Sequence, residues 1–180
     1  MTERYKIILN YGTLAGIAYA VIFVVFYLLG VNPLGNVGLI NTAIIIFAIV
    51  QATKKTRENY FEGYITYGQA LMVGIMTGFV YASFCGIINY LYLNFLFTDV
   101  FETHKDLLLQ EMLPGLETLE RFLGADATEK VLEELENMDA SRFAVSDFQS
   151  KFLSTIFFSL ITSAFLKKSK SIFEETFNED

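Results

Sequence analysis

From Ile7 to Gly30 the chain carries no Asp, Glu, Lys, Arg or His, and about 20 helical residues are enough to cross the hydrocarbon core of a bilayer. No water-soluble fold keeps so long a run buried on every side, so the first constraint is a membrane. Three more apolar runs repeat it: 37–53, 67–97 and 148–166. The second is the shortest and spans only if Asn36 and Thr53 lie in the interfaces. The third is long enough to tilt or to pass the membrane surface, and the fourth has Lys151 near its start, where a long side chain can snorkel. With 53% hydrophobic residues and a mean hydropathy of +0.43, the whole chain fits this class. The expected fold is an all-α integral membrane protein, a four-transmembrane-helix bundle in one domain of residues 1–180. Arg4 and Lys6 before the first run, with Ala18-Tyr19-Ala20 inside it, imitate a signal peptide. Cleavage there would cut a run that stays apolar to Leu29, as an uncleaved span does.

Orientation follows from the basic residues, which concentrate in cytoplasmic loops. Arg4 and Lys6 precede the first run, Lys54, Lys55 and Arg57 lie between the second and third, and Lys167, Lys168 and Lys170 follow the fourth. The turn at 31–36 is uncharged and rich in Asn, Pro and Gly, which favour tight reversal. The segment 98–147 holds thirteen acidic residues against four basic ones. Both belong outside, which puts the two termini and the tail 167–180 in the cytoplasm. The formal charge of −7 argues against nucleic acid, whose phosphates need clustered Lys and Arg.

The acidic segment is patterned as helix. Leu109, Met112, Leu113, Leu116, Leu119, Phe122 and Leu123 recur at three- and four-residue spacing, and Pro114-Gly115 breaks the run. Asp126 and Glu129 are spaced as a capping box for a second short helix, and Ser146 and Gln149 repeat that spacing ahead of the fourth span. The expectation is an extracytoplasmic helical hairpin whose apolar face packs on itself, on the helix ends or on a partner.

Within the membrane the third run carries Ala70, Gly74, Gly78, Ala82 and Gly86 at intervals of four, which lets a neighbouring backbone approach closely. Gly12, Gly16 and Ala20 form a shorter ridge on the first run, and Thr155, Ser159 and Ser163 another on the fourth. Facing ridges within one bundle is the simplest arrangement; a ridge joining two protomers is the alternative. No ionisable group is expected at depth, where such groups are functional by default. Asn41, Gln69 and Asn89 are the candidate polar site, with Asn94 beside Asn89 toward the outer mouth, although neutral polar groups at depth more often bond between helices.

Chemistry is sparse. His104 is the sole histidine and reads as a solvated surface residue, and Cys85 is a lone cysteine in an apolar run. Glu129, Glu133, Glu134, Glu136 and Asp139 have the oxygens for a hard cation but not the order of an EF-hand loop. A solvated acidic helix face is the simpler reading. Phosphate loops, nucleophile elbows and HExxH are absent, so the sequence argues against an enzyme and calls for no catalytic residue, cofactor or metal.

The uncharged turn with Asn32-Pro33, the basic loop leading into Gly63-Tyr64-Ile65-Thr66-Tyr67-Gly68-Gln69-Ala70, the long third helix and the acidic segment before a last helix together resemble the domain of unknown function 4199 family. The resemblance covers essentially the whole chain. The family's members are mostly bacterial membrane proteins, so the resemblance implies a location in the bacterial inner membrane, and it carries over no activity and no site residues. The sequence therefore leads to a non-enzymatic structural or interaction protein of the cell envelope, in contact with lipid and with a second copy or another envelope protein. A small transporter or channel component with a neutral polar path is the alternative.

Overall fold

The computed structural model describes residues 3–35 and 38–169. The expectations resting on Asn36, Val37, Lys170 and the rest of the tail fall outside these. Among the described residues the chain is helical, and a single isolated antiparallel bridge joins Ile65 to Lys168.

Helix α1 (Glu3–Leu28) ends where Gly30, at φ 71°, turns the chain. Helix α2 (Gly38–Asn59) continues past the expected end at Thr53, because Thr53 and Thr56 stay buried against the bundle while Lys54 and Lys55 face out. Glu62 and Gly63, both at positive φ, reverse the chain into α3 (Tyr67–Leu91). A reciprocal capping box starts α3. The Thr66 hydroxyl accepts from the Gln69 amide, and the Gln69 side chain accepts from the Thr66 amide at 2.9 Å, which satisfies two donors that a helix start leaves free. A π-helical turn, Tyr92–Leu96, prolongs α3.

Helix α4 (Thr98–Met112) leads through a 3-10 turn at Leu113–Gly115, with Pro114 in its first turn, to α5 (Leu116–Leu123) and α6 (Ala125–Glu136). The expected Asp126–Glu129 capping box is not the start of α6. Gly124 occupies the cap at φ 85°, without a side-chain cap bond, and Asp126 lies in the first turn, where its charge still meets the positive end of the helix. The last helix, α7 (Ala140–Leu166), also starts earlier than the expected Phe148. The Asp139 carboxylate accepts from the Arg142 amide at 2.7 Å and caps it, which leaves Ser146 and Gln149 inside the helix.

Helix α3 is central and packs against α1, α2 and α7, while α2 also touches α1 and α7. Gly74 lies against Ser159 and Gly78 against Thr155; a Cβ at Gly78 would sit 1.5 Å from Thr155 Cγ2. Ala70 and Ala82 are fully buried on the same helix, as is Ser163 on α7. Gly86 faces Phe148 and the Ala144 carbonyl. The small residues of α1 meet bulk instead: Gly12 receives Val80 and Gly16 receives Phe84, while Ala20 borders an apolar groove with Ile88 and Tyr92.

Three helical stretches, Glu3–Leu28, Gly38–Asn59 and Tyr67–Leu96, are long and apolar enough to cross a membrane. Outward side chains such as Leu14, Phe47, Phe79 and Phe165 are exposed, and so large an apolar exterior on long helices fits a membrane protein.

One end of the bundle gathers basic groups. The Arg4 guanidinium lies 5.7 Å from the Tyr60 ring, Arg57 donates to the Leu166 carbonyl at 3.4 Å, and Lys168 lies 5.4 Å from the Tyr64 ring. Near the other end, Phe23, Tyr27, Tyr92 and Phe97 form an aromatic cluster with ring centroids 4.3 to 5.9 Å apart.

Candidate functional site

The sequence places no ionisable group at depth, yet α7 carries two, Asp147 and Lys151, into the packing between helices. Because that helix starts at Ala140, Asp147 and Lys151 stand one turn apart on the face carrying Thr155, Ser159 and Ser163, and this face packs on α3. Both side chains are mostly buried, with 16% and 17% of their surface exposed, and they form an ion pair. Lys151 therefore does not snorkel outward, and Asp147 does not belong to the solvated acidic segment.

The pair is held by groups from two other helices. Asn89 of α3, fully buried, donates from Nδ2 to the second Asp147 oxygen at 2.8 Å. Its Oδ1 accepts from the Tyr19 hydroxyl of α1 at 2.6 Å. The Lys151 ammonium lies 4.9 Å from the Tyr19 ring centroid, close enough for a cation–π contact. Tyr19, Asn89, Asp147 and Lys151 thus close a circuit in which every carboxylate oxygen has a donor. Such satisfaction is what makes a charge tolerable away from water.

Lys151 also lines a cavity of about 170 Å³ that opens between α2 and α7. Its polar walls come from Asn41 and Thr42 in the first turns of α2, from Tyr81 of α3, and from Lys151 and Ser154 of α7; Ile45 and Phe158 are apolar. The Asn41 Oδ1 and the Tyr81 hydroxyl are buried without a conventional hydrogen-bond partner, and the polar neighbour of Tyr81 is the Cys85 thiol, a weak acceptor.

The three residues expected to share a polar site are divided. Asn89 is in the circuit and Asn41 in the adjoining cavity wall. Gln69 is at the opposite end of α3, engaged in the capping box. Asn94 bonds its own helix, donating to the Tyr90 carbonyl at 2.9 Å, and is half-buried. Tyr19, Tyr81, Asp147 and Lys151 were not expected here. A signal for two of them exists: counting back by fours from Ser163 passes Ser159 and Thr155 and arrives at Lys151 and Asp147.

His104 is not simply solvated. On α4, it is half-buried between Asn32 of the first turn, whose Nδ2 is 3.3 Å from its Nδ1, and the Phe143 ring, edge-to-face with centroids 5.6 Å apart. Burial holds its pKa below the usual 6.5, with Glu111 and Asp147 opposing that shift. The acidic residues of α6 do not converge, and among the described residues no three Asp, Glu, His or Cys side chains gather as metal ligands.

The model of a family described as proteins of unknown function, DUF4199, matches residues 10–168. The chain belongs to the DUF4199 family. No curated protein and no solved structure matches it. The matched stretch of this DUF4199 member runs from the first span to Lys168, so it includes the whole circuit and the cavity beside it.

Proposed function

We propose that this DUF4199 protein is a non-enzymatic, four-span protein of a bacterial inner membrane whose external helices bind a second copy or another envelope protein. Helix α7 is the fourth span, entering the bilayer near Phe148 and leaving at Leu166. The basic groups of Arg4, Arg57 and Lys168 share one end of the bundle, which favours cytoplasmic termini by the positive-inside rule. The observation that carries the reading is an uncovered apolar face outside the bundle. Phe122 is 84% exposed, and Leu113 and Leu123 are also exposed, on a segment whose other face is acidic. The close α3–α7 seam, with Gly78 against Thr155, favours a rigid anchor below that face.

The test is in-cell photo-crosslinking from position 122, with Leu14 on the bundle exterior as reference. A discrete protein adduct, identified by mass spectrometry, is expected at 122 and only lipid at 14. Absence of a protein adduct at 122 would refute the reading.

One observation favours a small transporter instead, namely the buried Asp147–Lys151 pair beside a cavity. Cysteines placed at Asn41 and Ser154 in a Cys85→Ala background decide it. Labelling by membrane-impermeant reagents from both sides would support transport, and labelling from one side alone would exclude an open path.

A further inference from the structure

The cavity beside Lys151 has the wrong walls for a simple packing defect. A void between transmembrane helices is ordinarily lined by alkyl groups alone; this one, although mostly apolar in surface, is also bordered by Lys151, Asn41, Thr42, Tyr81 and Ser154. Lys151 has three N–H donors. One is used by Asp147, and the Tyr19 ring centroid lies 4.9 Å from the ammonium. Donor capacity is left over on a side chain that also lines the cavity.

Across from it are Gly38, Asn41 and Thr42, in the first turns of a 22-residue helix. Backbone N–H groups at a helix start have no intrahelical partner, and the aligned peptide dipoles place roughly half a positive charge there. Tyr81, only 1% exposed, completes the wall with a hydroxyl that its Cys85 neighbour cannot satisfy well. A cation would meet repulsion from Lys151 and from the α2 start together. An anion would be attracted by both.

The geometry points to this cavity as the binding site for one monoanionic oxyanion group, a carboxylate or a phosphodiester, seated between Lys151 and the first turn of α2. One charge is the right number, because Asp147 already offsets Lys151 and the helix start supplies only a fraction of a charge. About 170 Å³ accommodates a group of a few heavy atoms rather than a whole metabolite. The cavity opens sideways between α2 and α7, where Gly38 and Ser154 are exposed. A lipid headgroup can enter by that route as readily as a free anion. The inference does not depend on the external helices binding a partner.

The experiment uses the full-length protein in detergent, unfolded thermally and followed by far-UV circular dichroism. One arm titrates sodium formate against sodium chloride at matched ionic strength. The other adds phosphatidylglycerol against phosphatidylcholine, with native mass spectrometry counting retained lipid. Ser154→Leu fills the cavity from an exposed position without touching the ion pair, and Asn41→Leu removes a polar wall; both are first checked for native helicity. A saturable rise in Tm of several degrees with formate identifies a free anion. A rise confined to phosphatidylglycerol, with at least tenfold preferential retention of one lipid, identifies a headgroup. In either case Ser154→Leu and Asn41→Leu should remove the effect. The assignment is overturned if neither addition shifts the wild-type protein beyond its reference, or if both variants respond as the wild type does.

Discussion

The α3–α7 seam and the external helices α4 to α6 are built by opposite means. Along the seam small residues let two backbones approach, and the charged groups are paired, with Asp147 meeting Lys151 and Asn89 and Thr155 donating to the Lys151 carbonyl, while the buried Ser159 hydroxyl has no partner. Outside, α5 has no buried residue and α6 has only Thr128, although Leu116, Leu119, Leu132 and Leu135 are half-buried. Tight approach makes every added atom felt. Loose cover makes most substitutions tolerable and leaves apolar surface free for another molecule.

That contrast breaks first at the ion pair. Asp147→Ala strands a buried ammonium and should cost about 3–5 kcal/mol, read as a lowered midpoint in SDS titration. The double variant Asp147→Ala with Lys151→Met should regain much of it. If the single variant is neutral, the pair is hydrated and the bundle is not sealed there. Gly78→Ala comes next at about 1–3 kcal/mol, since the new methyl overlaps Thr155 and overpacking of this kind carries that penalty. Gly115→Ala, where a Cβ meets nothing within 4 Å, is its control and should change stability by less than about 0.5 kcal/mol. Equal effects at the two glycines would erase the distinction between the regions.

Removal of the Tyr19 hydroxyl in Tyr19→Phe leaves Asn89 one donor short inside the bundle, at a cost of about 1–3 kcal/mol by the same titration. His104 sharpens the comparison from outside. Its lowered pKa means that the folded state favours the neutral ring, so its contribution is whole above pH 6.5 and drains away as pH falls below that value. Amide protection along α4, corrected for intrinsic exchange, should weaken between pH 7.5 and 5.5, and His104→Asn should flatten that dependence. Phe122→Ser gives the smallest effect, because an exposed ring on α5 leaves little behind, and the isolated protein should keep its midpoint within about 0.5 kcal/mol.

The long helices were legible because length and freedom from charge are linear properties of a sequence. The Pro114-Gly115 break was legible for the same reason, since proline acts on its own backbone. Helix α7 was misjudged at one end: Asp139 caps it about two turns before the apolar run begins, and that shift carries Asp147 and Lys151 from a loop and an interface onto the α3-facing side. Even with the correct start, their burial depends on Tyr19 and Asn89 reaching them from helices distant in the chain. Gln69 lies in the capping box for a local reason, its spacing from Thr66, which was readable as a cap. Asn41 and Tyr81 became neighbours only through the packing of α2 and α3 around α7, which no spacing within one helix reveals.

The backbone bridge between Ile65 and Lys168, with bonds of 2.9 and 2.8 Å in both directions, has a mechanical consequence. Together with the Arg57 contact to Leu166 it rivets the far tip of α7 to the α2–α3 corner, so any parting of α7 from α2 must swing about that rivet. Displacement then grows with distance from it, as between the jaws of a clothes-peg. The widest excursion falls at the start of α2, beside Lys151.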